Sequence, residues 1–184
     1  MPIKDQMCID LRALEEDVAK REYRLDDDFF RAMGEGSDVH GGEATAQLAF
    51  TKVEDRAWRV DMDIKGEVIV PCDRCLDDMH QHVELQESLT LRLASDPAQE
   101  AGDDGDTLYV DERDAFFDAS WPVMEAVLLA IPIQHVHETG LCNDAMVKAL
   151  NEHSAARSGE GEAFTTAPAA NDGWKEQLKN LKTN

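Results

Sequence analysis

The amino-acid sequence predicts an α+β fold, an antiparallel sheet of about four to six strands with helices toward its C-terminal side. Two observations lead to this prediction. Three segments between residues 44 and 93 alternate apolar and polar side chains with period two, which is typical of antiparallel strands that face water on one side. The longer helical patterns follow only after residue 119.

The elements before the alternating segments are shorter. Residues 18–25 are a weaker strand candidate. The acidic residues 26–28 cap a short helix, expected from about residue 28 to residue 33, and two glycines end it. Gly41 and Gly42 then mark the turn into the first alternating strand.

Each of the three alternating strands has one apolar face, and we expect these faces to form the hydrophobic core. The polar residues between them then face water. A polar turn at 52–56 joins the first two strands, and residues 71–78 join the second and third. The apolar positions are Ala44, Ala46, Leu48 and Phe50, then Trp58, Val60, Met62, Ile64, Val68 and Val70, then Val83, Leu85, Leu89, Leu91 and Leu93.

Helical patterns dominate the next part of the chain. Residues 95–106 are polar and acidic and are predicted to be an exposed loop, with a short strand at 107–110. A helix follows, with Ser120 as its predicted N-cap and Pro132 at its end. Its side chains are apolar on most sides, so we expect it to be buried against the sheet. A second helix is predicted to begin after Asn143.

Composition divides the chain into three predicted parts. Residues 1–153 form the α+β domain. Residues 154–172 are rich in small residues and proline and show no periodicity, so they are predicted to be a disordered linker. Residues 173–184 are predicted to be a short amphipathic helix, which either docks on its own domain, as we favour, or binds a groove of a partner. Its apolar stripe consists of Trp174, Leu178 and Leu181.

The charge of the chain restricts its partners. Its 184 residues include 39 Asp and Glu but only 18 Lys and Arg, for a formal net charge of -21. Such a surface repels nucleic-acid phosphate and anionic membranes and attracts basic proteins, among which ribosomal proteins and basic nucleases are the obvious candidates. The alternative is that the charge serves only solubility.

The sequence also carries expectations about location. No apolar segment is long enough to span a bilayer, and the first residues lack the basic and then apolar pattern of a signal peptide. We therefore expect a cytoplasmic protein with no membrane partner, in which the four cysteines are reduced thiols or metal ligands rather than disulfides.

The cysteines form one chemically specific pattern. Cys72 and Cys75 have the C-x2-C spacing of a zinc-binding turn, at a connection between two strands. One histidine, with His137 preferred over His135, and Cys142 would complete a structural Cys3His zinc site. The alternative is that the cysteines are packed thiols. A thiol redox role is disfavoured because the motif does not begin a helix within a βαβ unit.

No catalytic motif is recognisable in the sequence. It lacks a glycine-rich phosphate loop, a nucleophile elbow and an H-E-x-x-H motif, which favours a binding protein over an enzyme. Direct contact with RNA would need a local basic patch. Arg74 and the lysines of the last twelve residues are the one candidate, so Arg74 joins the C-terminal stripe as a predicted partner-binding residue.

Several of these segments also occur together in a known family. The Cys-Asp-Arg-Cys-Leu sequence at 72–76 ends a half-buried strand, Leu-Leu-Ala-Ile-Pro at 128–132 ends a helix, and a Trp followed by a Leu- and Lys-rich stretch occupies 174–182. Residues 24–30, a strand that leads into an acidic turn and paired phenylalanines, fit as well. In these features the chain resembles the YceD-like family of large ribosomal RNA subunit accumulation proteins.

The resemblance implies a role in the accumulation or processing of large-subunit ribosomal RNA, and so in ribosome assembly. The acidic surface favours an indirect effect through a basic protein of the ribosome or of the rRNA-processing machinery. The chain departs from the family pattern in one place. Many members carry a second cysteine-rich turn, Gly-Leu-Cys-Pro-x-Cys-Gly, of which only Cys142 is present here. Either His137 substitutes for the missing ligand, or the site has been lost.

Overall fold

A computed structural model describes residues 7–14, 17–34, 36–100 and 107–158 of the chain. The chain divides into two compact units at the junction between Met146 and Val147. The elements in chain order are β1 (Cys8–Asp10), a 3-10 turn (Leu11–Ala13), β2 (Val18–Leu25), α1 (Asp27–Met33), β3 (Gly41–Glu54), β4 (Ala57–Pro71), β5 (Asp78–Ala94), α2 (Pro97–Glu100), β6 (Thr107–Asp111), β7 (Phe116–Asp118), α3 (Ser120–Ala130) and α4 (Asp144–Ser158).

The main sheet has five strands in the order β2-β3-β4-β5-β6. Strands β2 to β5 are joined by antiparallel pairings, whereas β6 pairs with β5 in parallel. Strands β1 and β7 form a separate antiparallel pair. The predicted α+β class with a largely antiparallel sheet is confirmed. The parallel edge strand arises because the chain returns toward the start of β5, through a connection that includes α2, before β6 begins.

The side chains that the period-two patterns assign to the core lie on the buried face of the sheet. All the apolar positions named above in β3 and β4 are buried. In β5, Val83 and Leu91 are buried, while Leu85, Leu89 and Leu93 pack against the core and remain partly exposed. The strand pairing makes the apolar face continuous from β4 to β5. Ile64 of β4 lies opposite Leu85 of β5, and side chains on one face of paired strands are neighbours.

Helix α1 closes one end of the core. The Asp26 carboxylate accepts hydrogen bonds from the backbone N–H groups of Asp28 and Phe29, both at 3.1 Å, so the predicted acidic cap is present. The buried rings of Phe29 and Phe30 meet edge to face, with 5.4 Å between their centroids. These contacts bury the apolar side of a helix of only seven residues, which would be unstable alone.

The β3–β4 pairing requires a glycine at position 66. Gly66 lies opposite Ala44, and its φ is +158°. A Cβ atom added there would lie 2.3 Å from the carbonyl oxygen of Glu43 and 2.4 Å from the Cα of Ala44. The two backbones therefore approach more closely than any side chain at this position would permit.

Helix α3 buries one side, as predicted, but its other side is exposed and its N-cap differs from the prediction. The N-cap residue is Ala119, and Ser120 lies inside the first turn. The Asp118 carboxylate accepts hydrogen bonds from both the backbone N–H and the hydroxyl of Ser120, because a carboxylate is a stronger acceptor than a serine hydroxyl. The inner side chains of α3, such as Val123, are buried where the helix contacts β5 and α1.

Helix α4 begins at Asp144, as predicted, and the Asn143 side chain accepts a hydrogen bond from the N–H of Ala145 at 3.0 Å. It continues to Ser158, into the part of the chain predicted to be a linker. The rest of that linker and the predicted C-terminal helix, with Trp174, Leu178 and Leu181, lie outside the described residues. No helix among the described residues is long and apolar enough to cross a membrane.

Candidate metal centre

The turn between β4 and β5 is closed by its own backbone. The N–H of Cys72 donates to the carbonyl of Asp77, and the N–H of Leu76 donates to the carbonyl of Cys72, both at 2.9 Å. Leu76 has a φ of +64°, in the left-handed region that most residues avoid. The chain therefore reverses tightly just after Cys75, which places Cys72 and Cys75 side by side within the turn.

A second segment, residues 132–143 between α3 and α4, lies against this turn. The N–H of Asp73 donates to the carbonyl of His135 at 2.9 Å, and the Asp73 carboxylate accepts from the N–H of His135 at 2.7 Å. Farther along, the Asn143 side chain donates to the Asp77 carboxylate at 3.2 Å. These bonds join two parts of the chain that are about sixty residues apart. We call residues 72–78 and 132–143 together the clasp.

Four side chains with sulfur or nitrogen donors meet inside the clasp. The ligand atoms of Cys72, Cys75, His137 and Cys142 all lie within 4.8 Å of one another. The sulfurs of Cys72 and Cys142 are 3.9 Å apart, and the Cys75 sulfur is 3.3 Å from His137 Nδ1. In a tetrahedral zinc site, with bonds of about 2.3 Å to sulfur and about 2.0 Å to nitrogen, neighbouring ligand atoms lie about 3.5 to 3.8 Å apart. The four donors therefore fit a zinc ion without a large rearrangement.

The electrostatics of the cluster suit a cation. Burial raises the pKa of the Cys72 thiol, but backbone N–H groups that donate to its sulfur, above all those of His137 and Arg74, lower that pKa to about 6. Hydrogen bonds with the sulfurs of Cys72 and Cys75 raise the pKa of His137. Burial, followed by the neighbouring thiols, raises the pKa of Cys142. Cys72 therefore loses its proton readily, and its negative charge disfavours a second thiolate in the same cluster. A bound divalent cation would offset the repulsion between the thiolates.

The chemistry of the donor set narrows the choice of metal. Three thiolates and an imidazole form a soft set, which zinc accepts and which magnesium and calcium do not. All four tetrahedral positions would be filled by the protein, as in structural rather than catalytic zinc sites. Within the described part of the chain, this is the one group of three or more His, Cys, Asp or Glu residues whose ligand atoms lie this close together.

The structure brings together the four residues that the sequence analysis selected and leaves His135 outside the cluster. His135 instead bonds to Asp73 through its backbone, and its Nδ1 lies 3.1 Å from the carbonyl oxygen of Pro132. Arg74 is exposed on the turn, where its own N–H donates to the Cys72 sulfur at 3.4 Å.

Sequence reasoning missed the supporting residues Asp73, Asp77 and Asn143. Their one sequence signal is that each carries a side-chain hydrogen-bonding group and lies within two residues of a cysteine. That signal is weak, because polar residues are common in any turn.

The water-facing side of the main sheet carries a second feature, a groove of about 670 Å³ across β2 to β5. Two pairs of its polar side chains bond to each other. Gln47 donates to Glu22 at 2.9 Å, and Gln86 donates to Asp63 at 3.1 Å. The groove contains none of the four clasp ligands.

Comparison with known proteins identifies the family. A family model described as large ribosomal RNA subunit accumulation protein YceD matches residues 60–182, a range that contains all four clasp ligands. No curated protein and no solved structure matches the chain. Because the match covers more than half of its residues, the chain belongs to the YceD family of large ribosomal RNA subunit accumulation proteins.

Proposed function

We propose that this chain is a cytoplasmic, non-enzymatic ribosome-biogenesis factor that supports the accumulation or processing of large-subunit ribosomal RNA. The observation that carries the proposal is the family match over residues 60–182. The closed donor set of the clasp agrees with a structural role for a bound metal rather than with catalysis.

The partner in this proposal is a basic protein of the ribosome or of the rRNA-processing machinery. The net charge of -21 supports it, because ribosomal proteins are generally cationic and long-range attraction speeds their encounter with an anionic surface. The same charge opposes close approach to RNA phosphates. Any effect on ribosomal RNA is then indirect and passes through the protein partner.

A structural zinc ion in the clasp is the second part of the proposal. It would be held by Cys72, Cys75, His137 and Cys142 and would supply a rigid link rather than a reaction. Because the ligands come from both segments of the clasp, the ion would fix residues 132–143 against the β4–β5 turn. Binding free energy of a structural zinc site is folding free energy, so this link would be strong only when the metal is present.

Two alternative functions are each supported by one observation. Direct contact with RNA is favoured by the exposed Arg74, the one Lys or Arg in the clasp. Thiol redox chemistry is favoured by the pKa of about 6 for Cys72. The second alternative is the weaker, because the Cys72 side chain is completely buried and a redox thiol must be reached by its oxidant.

The test of the main proposal is genetic. In a strain that lacks the gene, the ratio of large-subunit to small-subunit ribosomal RNA should fall, and the wild-type gene should restore it. Cys75→Ser should restore it less well if the clasp contributes, whereas Cys8→Ser, which changes a cysteine of β1 outside the metal-ligand group, should restore it fully. An unchanged RNA ratio in the deletion strain would exclude the proposed function.

A further inference from the structure

The most exposed apolar side chains among the described residues lie on segments that follow each other in the chain or are hydrogen-bonded to each other. The five most exposed large apolar side chains in the described part of the chain all lie on α3 or on the clasp, with exposed fractions from 59% to 104%. Single exposed apolar residues are normal on soluble proteins, but a cluster is typical of an interaction site. The five residues are Trp121, Leu129, Ile133, Leu76 and Leu141.

Chain connectivity and hydrogen bonds link the segments that carry these residues. Trp121 and Leu129 are eight residues apart on α3, which puts them on the same side of the helix and about 12 Å apart along its axis. Ile133 follows α3 and lies two residues before His135, which bonds to Asp73. The strip thus passes from α3 into the clasp.

The clasp carries the other end of the strip. Leu76 immediately precedes Asp77, and Leu141 lies two residues before Asn143, which donates to the Asp77 carboxylate. These two leucines therefore flank a single contact between the two clasp segments. We call the five residues the apolar strip.

The core does not require these side chains. Helix α3 already buries Val123, Met124 and Val127 on its inner side. The outer side of such a helix is normally polar, yet here Trp121 and Leu129 are exposed with Glu125 between them. The helix thus has a second apolar side that is not explained by packing within the described part of this chain.

The surroundings of the strip are anionic. In α3 and the clasp together, five carboxylates accompany a single Lys or Arg side chain, that of Arg74. Glu125 lies one helical turn from both Trp121 and Leu129, and the carbonyl of Glu138 accepts a hydrogen bond from the N–H of Leu141 at 3.0 Å. A complementary ligand therefore combines apolar side chains with flanking positive charges.

We propose that the apolar strip is the docking surface for a segment of another protein, an amphipathic helix whose apolar side chains are flanked by Lys and Arg. This inference rests on the proposed function, because it locates the surface for the basic partner. Apolar anchors, tryptophan above all, supply most of the energy at such surfaces, and the carboxylates select a cationic segment. Because three of the five residues belong to the clasp, the strip has its full shape only when the clasp is closed.

The experiment uses the full chain, loaded with zinc, and a defined probe. The probe is a fluorescein-labelled synthetic helix of leucine and lysine, with all its leucines on one side, and its binding is followed by fluorescence anisotropy at physiological salt. The double variant Leu129→Ser/Ile133→Ser should weaken binding by about tenfold or more, since exposed anchors are removed without disturbing the core.

The matched control changes exposed apolar residues elsewhere. Val18→Ser/Val53→Ser alters two half-exposed valines of β2 and β3, outside the strip, and should leave the dissociation constant within about twofold of wild type. A second probe, in which serine replaces every leucine and the lysines remain, should bind weakly to all the proteins. Circular dichroism of each variant checks that the fold is retained.

Three results would overturn the inference. One is equal weakening by the strip variant and the valine variant, and another is equal binding of the leucine and serine probes. The third is concentration-dependent dimerisation of the wild type that the strip variant abolishes, because the strip would then bind a second copy of this chain. None of these results would change the ribosomal RNA ratio of the deletion strain, which tests the proposed function. Conversely, a normal RNA ratio in the deletion strain would leave the binding result intact, so the two proposals fail separately.

Discussion

Asp73 and His135 hold each other through two hydrogen bonds in opposite directions, from the N–H of Asp73 to the carbonyl of His135 at 2.9 Å and from the N–H of His135 to the Asp73 carboxylate at 2.7 Å. Neither residue is among the four clasp ligands, yet each is next to or two residues from one. The pair aligns the two clasp segments so that His137 lies opposite Cys75.

Loss of the Asp73 carboxylate should therefore weaken metal binding without removing a ligand. Asp73→Ala is expected to lower zinc affinity between about 10-fold and 100-fold, the range typical of residues that orient metal ligands. Asp73→Asn keeps a side-chain oxygen that can accept from the His135 N–H, and should stay closer to wild type. Competition with a chromophoric chelator measures both values. Equal affinities for Asp73→Ala and wild type would show that the pair has no part in metal binding.

Purified protein should contain about one zinc per chain, because the clasp offers a complete set of four ligands. Elemental analysis of protein prepared without chelator measures the content directly. Cys75→Ser should lose most of the metal, and Cys8→Ser should retain it. Absence of zinc from the wild type would mean that the clasp is held by hydrogen bonds and thiol packing alone.

Substitution of Gly66 should cost more stability than substitution of another glycine with positive φ. Gly66→Ala brings a Cβ atom to 2.3 Å from a backbone oxygen, so a loss of about 2 to 4 kcal/mol is expected. Gly36 has a φ of +86° but no heavy atom within 4 Å of an added Cβ, and Gly36→Ala should cost about 1 kcal/mol. Urea unfolding of both variants measures the two losses of stability. Equal losses would show that the close approach of the β3 and β4 backbones at Gly66 does not exclude a side chain.

The two faces of β4 should respond differently to truncation. Ile64 is completely buried, and Ile64→Ala is expected to lower the free energy of unfolding by about 2 to 4 kcal/mol. Its neighbour Lys65 faces water between Asp63 and Glu84, each 3.4 Å away, and Lys65→Ala should cost much less stability than Ile64→Ala, because exposed ion pairs contribute little. Chemical denaturation of the pair tests the assignment of faces; a larger loss for Lys65→Ala would contradict it.

Binding to ribosomal RNA should be absent or weak even at low ionic strength. A chain of net charge -21 has few cations with which to displace counterions, so no shift of a large-subunit rRNA fragment is expected at about 50 mM salt. A mobility-shift titration over salt concentration measures this. Binding that falls steeply with salt, and that Arg74→Ala weakens, would support the direct RNA alternative instead.

Local patterns accounted for most of the strands. The even-numbered apolar residues from Trp58 to Val70 have to share one side of an extended chain, because successive side chains in a strand point in opposite directions. The same reasoning located Val18–Leu25 and the acidic start of α1. The same reasoning wrongly predicted Ser120, rather than Ala119, as the N-cap of α3. The Asp118 carboxylate accepts the hydrogen bond from the Ser120 N–H, and this contact depends on how the chain turns before the helix.

The sequence by itself determined the faces of the strands, the acidic charge and the C-x2-C pair of candidate metal ligands, because each depends on residue type and short spacing. Only the tertiary structure decided that β6 runs parallel to β5, that His137 rather than His135 enters the cluster, and that the five most exposed apolar side chains of the described residues lie on α3 and the clasp. The physical reason is distance along the chain. Cys75 and His137 are 62 residues apart, and contacts of that kind depend on how whole elements pack and on which backbone groups find partners between them.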